Sequence, residues 1–154
     1  MKFEALYYDD KLTLVNPAGD VGVVTLWSRK EQIISAFERL SVDFDPQSSR
    51  IAVIGNLFGN GLPHLLRNLL WNPQIQYLLV LGSDLSGSKL ELANFFAQGL
   101  EEVDFLGSPA HRIIGTQRII DGDVTAGHFV APPEITLLGK ISDEQTLPAV
   151  TQFF

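Results

Sequence analysis

The chain contains no cysteine. That excludes disulfide staples, thiolate metal sites and a cysteine nucleophile, and it suits a cytoplasmic protein. Basic residues are also scarce: 11 Lys and Arg stand against 18 Asp and Glu, for a net charge of −7. They are scattered, so no basic face offers itself to nucleic acid. No apolar run approaches the roughly 20 residues of a membrane-spanning helix. The N-terminus, MKFEALYYDD, is acidic by Glu4 and lacks the apolar core of a signal peptide. His64, His111 and His128 show no His-x-x-x-His spacing, so no metal site is expected. No Walker pattern, Gly-x-Gly-x-x-Gly or Gly-x-Ser-x-Gly elbow is present either.

What is there reads as one globular domain. The 154 residues are 45% apolar, enough to bury a core. Phe3–Tyr8 and Leu12–Val15 are short apolar segments around Asp9-Asp10. They predict a β-hairpin over residues 1–20, closed by Asn16-Pro17-Ala18-Gly19. GVVTLW, residues 22–27, is a continuous strand-like run. Ser28-Arg29-Lys30-Glu31 has the form of a capping box, and Ile33, Ile34, Phe37 and Leu40 carry a helix over 29–40.

The pattern then repeats. RIAVIG (50–55) is a second strand, and after a Gly- and Asn-rich loop Pro63 suits the first turn of a helix faced by Leu65, Leu66, Leu69 and Leu70. Asn72-Pro73 stops it. IQYLLVLG (75–82) is a third strand, followed by a helix from Ser88, where Ser88-Lys89-Leu90-Glu91 is a second capping-box pattern. Further strands are expected at Arg112–Gly115 and Ile135–Gly139, with turn-rich sequence between them. Alternating strands and helices predict an α/β fold: a Rossmann-like parallel sheet with covering helices over 21–140, preceded by the hairpin. Residues 141–154, ending TLPAVTQFF, read as a tail or linker, and the chain as one domain cut from a longer protein.

Parallel sheets bind ligands beyond the carboxyl ends of their strands. The candidate ligand-binding residues therefore lie on three loops. They are Trp27; Gly55, Asn56, Gly59, Asn60 and Gly61; and Gly82, Ser83, Asp84, Ser86, Gly87 and Ser88. Glycines let backbone N–H groups approach a ligand, serines add hydroxyl donors, Asp84 accepts, and Trp27 can stack on a flat ring. The same residues also make ordinary strand-to-helix turns, with Ser88 as a helix cap.

The run from RIAVIG through GSDLSG, together with RIIG at 112–115, resembles the corrinoid-binding component of tetrahydromethanopterin S-methyltransferase. That family has a strand of the type AIVG, a helix ending in Asn-Pro, then RYLILCG, a Lys-Gly-His turn and RIIGA. The matching pieces here are Ala52–Gly55, Arg67-Asn68 with Asn72-Pro73, Gln76–Gly82, Ser86-Gly87 and Arg112–Gly115. The likeness covers roughly residues 21–120 and adds Arg112 and Gly115 to the candidate site. It implies a Rossmann-like domain whose corrinoid takes a methyl group from a pterin, with the histidine after Lys-Gly as axial ligand. Ser88 holds that position here, and a hydroxyl is a poor substitute for imidazole nitrogen on cobalt. Methyl transfer is therefore not carried over.

A related domain accompanies some thymidylate synthase-like proteins. The resemblance thus implies a non-catalytic accessory or regulatory domain for pterin, folate or nucleotide ligands. Its partner would be a thymidylate synthase-like domain, in the same or another chain, or a second copy. The alternatives are a corrinoid-dependent methyl carrier and a structural interaction module.

Overall fold

The computed structural model describes residues 1–154 as a mixed α/β fold with a five-stranded mixed sheet and helices. In chain order the elements begin with β1 (Thr13–Leu14), β2 (Val21–Val24), α1 (Lys30–Arg39) and β3 (Ile51–Gly55). They continue with α2 (Leu62–Trp71), β4 (Tyr77–Val80), α3 (Ser88–Ala97), β5 (Leu100–Phe105) and β6 (Ser108–Ile113). The last are β7 (Ile119–Ile120), β8 (Glu134–Leu137) and α4 (Thr146–Phe153).

The main sheet runs β1-β3-β2-β4-β8. The four strands from β3 to β8 are parallel, and β1 lies antiparallel on the β3 edge, Thr13 against Ile54. The apolar runs are continuous because both faces of this sheet are covered. Along β4, Leu78 and Val80 enter one core with α2 and α3, while Leu79 and the following Leu81 enter the other with α1 and α4. From β2 the chain moves to β3 and then crosses back to β4. With right-handed crossovers, that reversal sends α1 and α2 to opposite faces, as the two cores require.

Three expectations need correction. The N-terminal hairpin does not form: residues 3–8 carry no strand, and Leu12–Val15 contributes only β1, which pairs with β3. Residues 4–7 instead run beside α2. The Asn72 side chain bonds both N–H and C=O of Glu4, and Asn68 does the same for Tyr7 while also accepting from Leu6 N–H. Two side-chain amides thus replace a neighbouring strand.

Arg112–Gly115 is not a strand of the parallel sheet. Arg112 and Ile113 end β6, the middle of a separate antiparallel sheet β5-β6-β7. Its β5–β6 turn places Leu106 and Gly107 at φ of 54° and 83°, the doubly left-handed form that two-residue hairpins favour. Finally, residues 146–154 fold onto this domain. Pro148 lies in the first turn of α4, where its missing N–H costs nothing, and Val150 is fully buried in the core that α1 shares with the sheet. No helix is long and apolar enough to cross a membrane.

Candidate functional site

At the carboxyl end of β2 the chain makes a sharp turn, Thr25–Ser28. Leu26 lies there at φ 53°, a left-handed conformation that is strained for a leucine, and its side chain is fully buried. The turn is clamped from both neighbouring loops. Asn56 Nδ2 points at Leu26 O (3.0 Å), Ser28 O (2.7 Å) and Thr25 Oγ1 (3.1 Å). From the β4 side, Ser83 N–H donates to Ser28 Oγ (2.9 Å), and Trp27 N–H donates to Ser83 O (2.9 Å). Ser28 therefore ties two loops together instead of capping α1, whose N-cap Arg29 has no side-chain cap.

This clamp aims Trp27 outward. Its Nε1 donates to Ser86 Oγ at 3.0 Å, and its ring lies 4.6 Å from that of Phe58 at a tilt of 58°. Both rings are exposed, and both border a cavity of about 540 Å³ between the sheet and α2. A volume of about 300–1,000 Å³ is usual for small-molecule sites. The space exists because two glycines stand on neighbouring strands of the same sheet face. Gly22 leaves room below α2 beside Leu78, and Gly55, paired with Val24, leaves room under Leu12. The N-terminal segment, with Phe3, Tyr8 and Leu12, forms the opposite wall.

Six of the predicted residues line this cavity: Trp27, Gly55, Asn56, Gly59, Asn60 and Gly61. The others do not. Ser83 holds the Thr25–Ser28 turn from behind, and Gly82, whose N–H donates to Gly139 O, packs so close to it that a Cβ would stand 2.5 Å from Thr25 O. Asp84 Oδ2 accepts from Lys89 N–H at 3.4 Å, and its Oδ1 is shielded from solvent without a partner. Ser86 orients Trp27 and lies 2.7 Å from Ser88 Oγ. Gly87, at φ 76°, is the residue before α3, so Ser88 is the first residue of the helix and not its cap; its side chain is fully buried. Arg112 pairs with Glu101 across β5 and β6, and Gly115 makes a turn against Asn94.

Sequence reasoning missed Arg118. Its Nε donates to Glu91 Oε1 at 2.9 Å and its Nη1 to Asn60 Oδ1 at 3.1 Å, across 27 and 58 residues of chain. Nη2 lies against Gly59, where an added Cβ would stand 2.5 Å away. Gly59 is what lets the guanidinium approach this closely. Lys11 also lines the cavity, its ammonium 5.5 Å from the centre of the Tyr8 ring. Neither cation stands near a recognisable motif; only Phe58, inside the Asn-Leu-Phe-Gly-Asn loop, had a local signal. No group of three or more His, Asp or Glu side chains is placed to hold a metal ion. Comparison with known proteins finds no family model and no curated protein that matches the chain.

Proposed function

We propose that this is a Rossmann-like ligand-binding domain, accessory or regulatory to pterin- or folate-linked one-carbon or nucleotide metabolism. Its partner in that role is a thymidylate synthase-like domain, and the setting is cytoplasmic. The observation that carries the reading is the cavity itself. It reaches the carboxyl ends of β2 and β3, where parallel sheets take ligands, and it is bordered there by Trp27 and Phe58. An apolar chamber with an aromatic pair at one end and a few polar groups (Asn56, Asn60, Asn68) suits a flat heteroaromatic molecule. The corrinoid alternative draws no support from Ser88, whose hydroxyl is buried and bonded to Ser86.

Trp27 and Trp71 are the two tryptophans of the chain, and Trp71 is exposed at the far end of α2. A Trp71→Phe variant leaves Trp27 as the sole reporter. Pterin, pteroate, folate and deoxyuridylate should be titrated against its emission, with melting followed in parallel. A binder at 100 times its dissociation constant stabilises by about 2.7 kcal/mol. Quenching of Trp27 together with a higher Tm for a pterin, folate or nucleotide is the expected result. No response to any of them removes the metabolic assignment.

A further inference from the structure

We infer that the ligand of this cavity is a singly charged anion, a carboxylate on a flat apolar body, and that Arg118 is the group that reads its charge. This deepens the reading above by narrowing it to carboxylates such as pteroate over nucleotides, and it rests on the cavity being the binding site. The chain carries a net charge of −7, yet no Asp or Glu lines the cavity, and its charged lining residues are Lys11 and Arg118. In an acidic protein, a chamber lined by cations and by no carboxylate, with Glu91 lying behind Arg118, is a place where an anion is not repelled.

The geometry around Arg118 limits the charge. Glu91, almost fully buried, holds Nε, and Asn60 holds Nη1, so the guanidinium is fixed in orientation. Nη2 has no hydrogen-bond partner in the protein and lies beside Gly59, another lining residue. Glu91 already offsets part of the cationic charge. With Lys11 counted, two cations against one carboxylate leave a single net positive charge, which suits one negative charge; a phosphate dianion would be under-compensated in so apolar a setting. The free Nη2 edge offers a carboxylate oxygen a charge-assisted hydrogen bond, and fixing the guanidinium beforehand lowers the entropy lost on binding.

Three probes with one ring system and different charge test this: 2-naphthoate, 2-naphthalenemethanol and 2-naphthyl phosphate, each titrated calorimetrically into the full chain. The naphthoate should bind at least about tenfold more tightly than the alcohol, and more tightly than the phosphate. In Arg118→Gln/Glu91→Gln, which removes the ion pair without leaving a buried carboxylate unpaired, that preference should vanish while alcohol binding persists. Arg118→Lys, which keeps a cation beside Glu91 but loses the fixed Nη2 edge, serves if the double variant fails to fold; it should weaken naphthoate binding and leave alcohol binding unchanged. Equal binding of naphthoate and alcohol overturns the anion assignment but keeps the cavity as a site. Tightest binding by the phosphate overturns the single charge, and binding by none of the three overturns both the assignment and the site.

Discussion

Asn72 and Glu4, 68 residues apart, are joined by a reciprocal pair of hydrogen bonds: Glu4 N–H donates to Asn72 Oδ1 at 2.8 Å, and Asn72 Nδ2 donates to Glu4 O at 2.8 Å. Nδ2 donates also to Asn68 O at 2.7 Å near the end of α2, so the residue that stops the helix also fastens the wall of the cavity. Asn72 is buried, and Leu at this position would leave the Glu4 amide and carbonyl without partners. Asn72→Leu is expected to cost about 1–3 kcal/mol. Amide hydrogen exchange at residues 3–8 should accelerate more than exchange in β2. Unchanged protection there would mean that the amide pair does not hold the segment.

Gly22 and Gly87 should respond in opposite ways to the same substitution. A Cβ at Gly22 would meet Leu78 Cδ2 at 3.0 Å, the tip of a flexible side chain, and valine suits a central strand. Gly22→Val is therefore expected to fill the cavity floor and abolish Trp27-detected binding with little loss of stability. Gly87 has open space around it but a φ of 76°, which a β-branched residue adopts only under strain. Gly87→Val should lower Tm, by an amount corresponding to about 1–3 kcal/mol, and leave binding in place. Melting curves and titrations of the two variants, side by side, decide it.

The last helix belongs to the core. Val150 is fully buried, the Phe153 ring lies 6.2 Å from that of Tyr77, and the Phe154 ring lies 5.9 Å from that of Phe37. Deleting residues 146–154 would uncover the face of the sheet that α1 leaves bare. A fall in Tm of many degrees is expected, with new dye-binding apolar surface. A deletion that melts like the intact chain would show α4 to be dispensable.

Asp43 sets a local pH dependence. Its carboxylate accepts from Ser48 Oγ at 2.7 Å and from Asp45 N–H at 2.8 Å, and these bonds, the Ser48 hydroxyl foremost, hold its pKa below the ordinary carboxylate value. A depressed folded-state pKa contributes stability that is present above the unfolded value and is lost as pH falls through the folded one. Carboxyl NMR should give Asp43 a low midpoint, and Ser48→Ala should raise it. Identical midpoints in the two proteins would remove the hydroxyl as the cause.

Periodicity over a few residues determined the α/β class, the cores of β2, β3, β4 and β8, the helices α1 and α2 to within a residue or two, and the start of α3. Each of these strands is a short apolar run and each helix an apolar stripe, signals that reside in neighbouring residues. The glycine loop after β3, which borders the cavity, was legible as a turn for the same reason. Tertiary structure alone decided the rest. β5 carries Glu101, Glu102 and Asp104 and is largely exposed, so it has no buried run to announce it; its strand character comes from pairing with β6. The segment 3–8 is apolar enough for a strand, but Asn68 on α2 and Asn72 at its end satisfy its backbone instead. Arg118 reaches Asn60 and Glu91 only when the β5–β7 sheet packs beside α3. Hydrogen bonds and cavities formed by residues tens of positions apart leave no local trace, because the groups that satisfy one another become neighbours only when the chain has closed.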